Sequence, residues 1–320
     1  LPPPGAPAAG TYGALVLTES PVAYWRLDEM GDASPGVLPA YDATGHNFYG
    51  VYGQYAYNGY NGYQGPQPPT YPGFESTNTA LYCNVGNTNS WVNAPPLNLN
   101  TNAVTISMWI NPSGAVAASS GLFVNRNGND AAGFGFGGNV NATTGVAELG
   151  YWWNTNSAAT YGFHSGLYPP IGQWSFVSLV IQSNQATMYL YYIDPNTSQP
   201  VLNSAVNPIA HSAEMFSGGI TTIGTDPGNL VGSIFDGYID EVAVFNSALT
   251  SDQILALFSK AAGLTGPIAA SIGGQPQSVS TYAGHTVTLT ATGINGTPPF
   301  SYQWQSNGVN MVDGGNISGT

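Results

Sequence analysis

The chain has 320 residues, 42% of them apolar, enough for one large domain and a small one with a substantial core. Three basic residues (Arg26, Arg126, Lys260) face 16 Asp and Glu, and the net charge of -13 excludes phosphate backbones and anionic headgroups as natural partners. Charged residues are only 6% of the chain, so solubility rests on Asn, Thr, Ser, Gln and Tyr, the uncharged polar surface of a secreted or cell-surface protein.

The opening "LPPPGAPAAG", residues 1–10, is too rich in Pro and Gly for an element interior and reads as a tail or linker. Leu1 in place of Met and the lack of a Lys- or Arg-led signal segment read as a processed or trimmed product. Residues 47–74, "NFYGVYGQYAYNGYNGYQGPQPPTYPGF", have no period that would pack an element and read as a long exposed loop. Cys83 has no partner for a disulfide and is expected as a buried thiol.

Strand signals then recur. In "AVTISMWINP", Val104, Ile106, Met108 and Ile110 alternate with Thr105, Ser107, Trp109 and Asn111, which predicts a strand with one face on a core. "NRNGND", residues 125–130, reads as a hairpin turn, and "GFGFGG", residues 133–138, as a strand whose glycines permit close packing, since no helix follows it. "QWSFVSLVIQ" is apolar on both alternations and "ATMYLYYID" follows across "QSNQ", which predicts a hairpin covered on both sides. A single short helix is predicted at "TSDQILALFSKAAG", with Thr250 and Gln253 as a capping box, Asp252 and Lys260 matched to the dipole, and Gly263 as the stop. Composition changes again after it, and a second β domain is expected over residues 267–320. No apolar run reaches the ~18 residues of a membrane span, so no membrane insertion is expected.

In order along the chain, "VAYWRLDE", "YDATGHNFYGVYG", "VTISMWINP", "GQWSFVSLVIQ" and "FDGYIDEVAVFNSALTSDQI" resemble the laminin-G-like branch of the concanavalin A-like lectin/glucanase superfamily over residues 11 to 262. The resemblance implies an all-β, two-sheet jelly-roll sandwich over residues 11–264, with one short helix. Residues 267–320 resemble the first part of a bacterial immunoglobulin-like domain, with Trp304 as its buried strand-C tryptophan; the strand-B Cys of antibody-type domains, which would fall near Ala291, is missing.

Asp240 and Glu241 are adjacent, and in a regular strand adjacent side chains point to opposite faces, so they cannot converge on one glycosidic bond. The glucanases of the superfamily carry a Glu-x-Asp-x-x-Glu-like strand that is absent here, and His46, His164, His211 and His285 are scattered. The chain is therefore expected not to be an enzyme. The resemblance instead implies a structural calcium ion held by Asp28, Asp42, Asp240 and Glu241, hard oxygens of the kind Ca²⁺ requires. Tyr151, Trp152, Trp153 and Tyr161 cluster as a candidate platform for stacking sugars, although alternation lets only one of the two tryptophans face outward. Tyr55, Tyr57, Tyr60 and Tyr63 in the Tyr-rich segment are candidates for self-association.

These features lead to a bacterial, extracellular, non-enzymatic module for adhesion or carbohydrate binding, with a glycan or cell-surface polymer as partner. The alternative is a self-assembling subunit of a filament or surface layer, in which copies of the chain complete one another's immunoglobulin-like domain.

Overall fold

The alternation at Val104–Pro112 (β6) sends Val104, Ile106, Met108 and Ile110 into the main core, as its sequence requires. The computed structural model describes residues 3–265, 271–274, 279–282, 284–294, 302–315 and 317–319. Two units follow one another, residues 1–265 and 266–320.

In the first unit β6 lies inside a seven-stranded antiparallel sheet with β1 (Ala23–Trp25), β4 (Leu81–Cys83), β10 (Ser175–Gln182), β11 (Gln185–Ile193), β12 (Pro200–Asn207) and β14 (Gly237–Phe245). Its spatial order is β1-β14-β6-β10-β11-β12, and β4 continues the β1 edge along the other half of β14. The second sheet runs β2 (Pro39–Ala40), β3 (Gly50–Tyr52), β5 (Val92–Ala94), β13 (Ile220–Ile223), β7 (Gly121–Asn127), β8 (Asp130–Val140) and β9 (Ala147–Asn154). Their inner faces share one core that includes Trp25, Met108, Phe123, Phe134, Leu179 and Ile239.

Part of the outer face of the first sheet, around Trp109, is also covered. Helix α1 (Tyr12–Thr18) and helix α2 (Ser251–Ala262) lie against each other, and Trp109 packs there against Tyr12, Phe74, Phe176 and Phe258. Both alternations of β6 are thus buried, more than its sequence suggested. Helix α2 has the expected Thr250–Gln253 capping box and a left-handed Gly263. Helix α1 is the second helix where the sequence led us to expect one; it has seven residues, no side-chain cap and a glycine, so no helix signal marks it.

Residues 47–74 are not a free loop. They supply β3, they bury Tyr52, Tyr71 and Phe74, and Tyr57 exchanges backbone hydrogen bonds with Tyr82 along the open side of β4. That backbone pairing satisfies a segment whose sequence has no apolar period. The opening segment likewise packs: Ala8 N donates to Glu75 Oε1 and the Gly5 carbonyl accepts from Arg26 Nη1.

In the second unit β15 (Ser271–Gly274) pairs with β16 (Thr292–Ile294), and β17 (Gln305–Ser306) with β18 (Val309–Asn310). The expected boundary at Pro267 lies outside the described residues. No helix among the described residues is long and apolar enough to cross a membrane.

Candidate functional site

The site grows from an irregularity in β14. Ile239, Val242 and Val244 all point into the core, so two residues, Asp240 and Glu241, lie between successive inward side chains. The register against β6 shifts between Asp240 and Ala243, and Glu241 sits at φ 56°. This is a β-bulge, and it cancels the alternation on which the sequence reading relied. Both carboxylates lie on the outer side, fully buried.

One guanidinium serves them. Arg26, which follows β1, places Nη2 2.7 Å from Asp28 and 3.3 Å from Glu75, and Nε 3.5 Å from Glu241 Oε1. Tyr24 OH donates to Glu241 Oε2, and Asn78 Nδ2 donates to Asp240 Oδ2 at 2.7 Å. Gly65 closes the cluster from the Tyr-rich segment: a Cβ there would run into Asn78 Nδ2, Asp240 Oδ2 and the Thr79 carbonyl.

Negative charge exceeds positive in this volume. Burial pushes the Asp28 carboxyl up despite the opposing Arg26, and burial plus the charge of Asp28 raises Asp240 well above the usual range. Burial alone raises Glu241 in the same direction, and next to the cluster it pushes Glu29 up to about 7.

Above the cluster opens a cavity of about 710 Å³. Arg26, Asp28, Glu75, Gln64, Gln67 and Asn78 supply its polar lining, and Met30 and Tyr63 its apolar one. Smaller hollows of about 200 and 230 Å³ extend it past Glu29 and Tyr41 beneath Pro4. Amides, carboxylates and a guanidinium beside an aromatic ring match the hydroxyls and C–H faces of a small polar ligand.

Residues 86–255, more than half the chain, match the family model described as the concanavalin A-like lectin/glucanases superfamily. The chain belongs to this superfamily. No curated protein sequence matches it.

Among solved structures, this superfamily member is similar to domain 4 of an extracellular arabinanase of glycoside hydrolase family 43 from Geobacillus stearothermophilus, in complex with arabinotriose. The two are 16% identical at a TM-score of 0.43, over 74% of this chain and 97% of that one. A Trypanosoma rangeli sialidase is 15% identical at a TM-score of 0.48, over 80% of this chain and 35% of the sialidase. An arabinofuranosidase complexed with arabinofuranosyl-alpha-1,2-xylobiose is 13% identical at a TM-score of 0.43, over 79% of this chain and 59% of that one. The chain thus spans only about a third of the sialidase. These neighbours are glycoside hydrolases or parts of them, which runs against the expectation that the chain is not an enzyme. Residues 267–320, for which an immunoglobulin-like domain was expected, lie outside the family match.

Of the four carboxylates proposed for calcium, Asp28, Asp240 and Glu241 gather around Arg26, while Asp42 does not join them. Its oxygens accept from Tyr24 N, Thr44 N, Thr44 Oγ1 and Phe48 N, tying the 42–48 turn to β1. Among the described residues no group of three or more His, Cys, Asp or Glu is arranged to hold a metal ion. Two buried oxygens of the cluster, Asn78 Oδ1 and Glu241 Oε1, have no hydrogen-bond partner. Together with the surplus of carboxylates they suit a hard cation in donor type and charge.

Three of the four residues of the proposed sugar platform are core instead, and Tyr161 is half-buried. Tyr151 is 0%, Trp153 2% and Trp152 6% exposed. Tyr151 bonds His211 and Asn207, Trp153 Nε1 donates to the Ser212 carbonyl, and Trp152 is held between Tyr161 and Arg126. Trp153 belongs to the main core, and Trp152 packs on the opposite face with Val124, Ala131 and Tyr161. Of the self-association candidates, Tyr55 and Tyr60 are exposed, whereas Tyr57 and Tyr63 pack on Tyr82.

Sequence reasoning passed over Arg26, Glu75, Asn78, Gln64 and Gln67. One signal was available: an arginine inside "YWRLDE", in a chain with three basic residues, calls for carboxylate partners.

Proposed function

We propose that the first unit is a carbohydrate-binding domain that takes an uncharged mono- or disaccharide in the cavity above Arg26 and acts outside the cell. The cavity itself carries the reading: its volume is that of a small-ligand pocket, and Gln64, Gln67, Asp28 and Glu75 offer both acceptors and donors beside the Tyr63 ring. Membership of a superfamily of lectins and glucanases supports the same ligand class.

Arg26, Asp28 and Glu75 lock one another, so the cavity floor is organised before a ligand arrives. Calcium belongs to the same proposal, with Asp28, Asp240, Asn78 and Glu241 as the residues that would hold it. Its role would be to neutralise the buried carboxylates and fix the bulge under the cavity. Screening the protein on an array of neutral oligosaccharides, followed by calorimetric titration of the best ligand against wild type and Gln64→Ala, tests the reading. Saturable binding weakened tenfold or more in a variant of unchanged melting temperature supports it; silence across the array removes it.

A further inference from the structure

We propose that the cavity continues over Tyr63 onto a row of side chains crossing the outer face of the first sheet, Tyr57, Tyr82, Tyr238, Asn111 and Trp174, and that this row binds an uncharged polysaccharide chain. The inference rests on the carbohydrate reading above and extends it from a small sugar to a polymer.

The row follows from register. Tyr57 bridges Tyr82, Tyr82 pairs with Tyr238, and Tyr238 pairs with Asn111. Trp174 immediately precedes β10, whose Ser175 pairs with Ile110, so the same register sets it opposite Asn111. Leu81, Cys83, Ile110 and Ile239 point into the core, which turns Tyr82, Asn111 and Tyr238 outward. At about 4.8 Å per strand, the four intervals of the row cover roughly 19 Å, longer than a single sugar needs.

All five aromatic rings involved are half-exposed. Tyr63, which lines the cavity, stacks on Tyr82 at 4.9 Å and lies 5.7 Å from Tyr238, joining cavity and row without a gap. The Tyr57, Tyr63 and Tyr82 rings are within 32° of parallel to one another, so they offer edges and hydroxyls rather than free faces. Trp174 is tilted by 56° against Tyr238, with Asn111 between them in register. Asn111 Oδ1 is buried there and has no hydrogen-bond partner, an acceptor awaiting a donor.

Charge selects the class of polymer. The row contains no ionised side chain, and burial raises the Tyr63 and Tyr82 phenols, which keeps them as neutral donors. Asp236 lies beside Tyr82, outside the row. With a net charge of -13 the protein repels polyanions, and the row itself has no carboxylate to attract a polycation. A neutral chain of hydroxyls and C–H faces meets both halves of the surface, phenol and amide on one side and indole on the other.

Native electrophoresis in gels containing soluble arabinan, xylan or mixed-linkage glucan tests this, together with titration of the corresponding disaccharides. Wild type is expected to be retarded by at least one polymer. Trp174→Ala and Tyr57→Ala should weaken that retardation tenfold or more and leave disaccharide binding in the cavity unchanged, while Trp174→Phe keeps most of it. Trp174 is half-exposed and its carbonyl, not its ring, accepts from Tyr71 OH, so its truncation leaves that bond in place. If the variants are retarded like wild type, binding is confined to the cavity and the row is overturned. If they instead disperse a concentration-dependent dimer and no polymer retards the wild type, the row is a contact between copies. If wild type binds neither polymer nor disaccharide, the carbohydrate reading fails and the row with it.

Discussion

Arg26 Nη2 lies 2.7 Å from Asp28 Oδ2, the shortest of three ion pairs that this guanidinium makes beneath the cavity. Replacing Arg26 by Met removes the charge and leaves Asp28, Glu75 and Glu241 facing one another in a buried volume. Urea unfolding at pH 7 should show a loss of about 3–5 kcal/mol. A change below about 1 kcal/mol, the scale of an exposed pair, would contradict the role given to this cluster.

Calcium depletion offers a separate test. If Asp28, Asp240, Asn78 and Glu241 hold the ion, chelation lowers the melting temperature, added Ca²⁺ restores it, and Asp240→Asn abolishes the response. A melting temperature indifferent to chelator and to added Ca²⁺ removes the ion from the proposal.

Glu29 gives stability a pH dependence of defined sign. Its folded-state carboxyl titrates at about 7, against 4.5 for the ordinary group, because it is buried even though Tyr52 OH and Tyr41 N donate to it. The folded state therefore holds the proton longer than the unfolded chain, and between about 4.5 and 7 stability falls as pH rises. Glu29→Gln loses one of the two acceptors and is less stable at low pH, but should lack this component of the slope. Equal slopes for variant and wild type in chemical unfolding from pH 4 to 8 would refute the assignment.

Gly65→Ala tests the closure of the site. The added methyl meets Asn78, Asp240 and the Thr79 backbone, so a cost of about 1–3 kcal/mol in stability is expected. Sugar affinity should fall with it, because Gln64 moves. Unchanged stability would mean that the segment does not rest on the cluster.

Trp153→Ala separates core from platform. With Trp153 2% exposed, truncation should cost about 3–5 kcal/mol in stability. A well-folded variant that has lost only sugar binding would restore the platform read from sequence.

The sandwich was legible because β6, β10 and β11 carry their alternation openly and α2 carries both caps. The site was legible only in part. Asp28, Asp240 and Glu241 stood out as carboxylates, but their convergence depends on a one-residue bulge, and period-2 reasoning places Glu241 on the wrong face. Residues 57–65 looked irregular because they are held by backbone bridges to 78–82, for which a sequence has no side-chain signature. Trp152 and Trp153 misled for the opposite reason: a dense aromatic cluster looks the same whether Tyr161 and the 211–216 segment cover it or leave it bare.

Where a sugar sits decides the matter most directly. Titrating isotope-labelled protein with the best neutral oligosaccharide and following amide shifts by NMR should move the resonances of Arg26, Gln64, Gln67 and Thr79 around the cavity, in a saturable manner and before others. Shifts confined to the β8–β9 face, or none up to millimolar sugar, would contradict a carbohydrate site above Arg26.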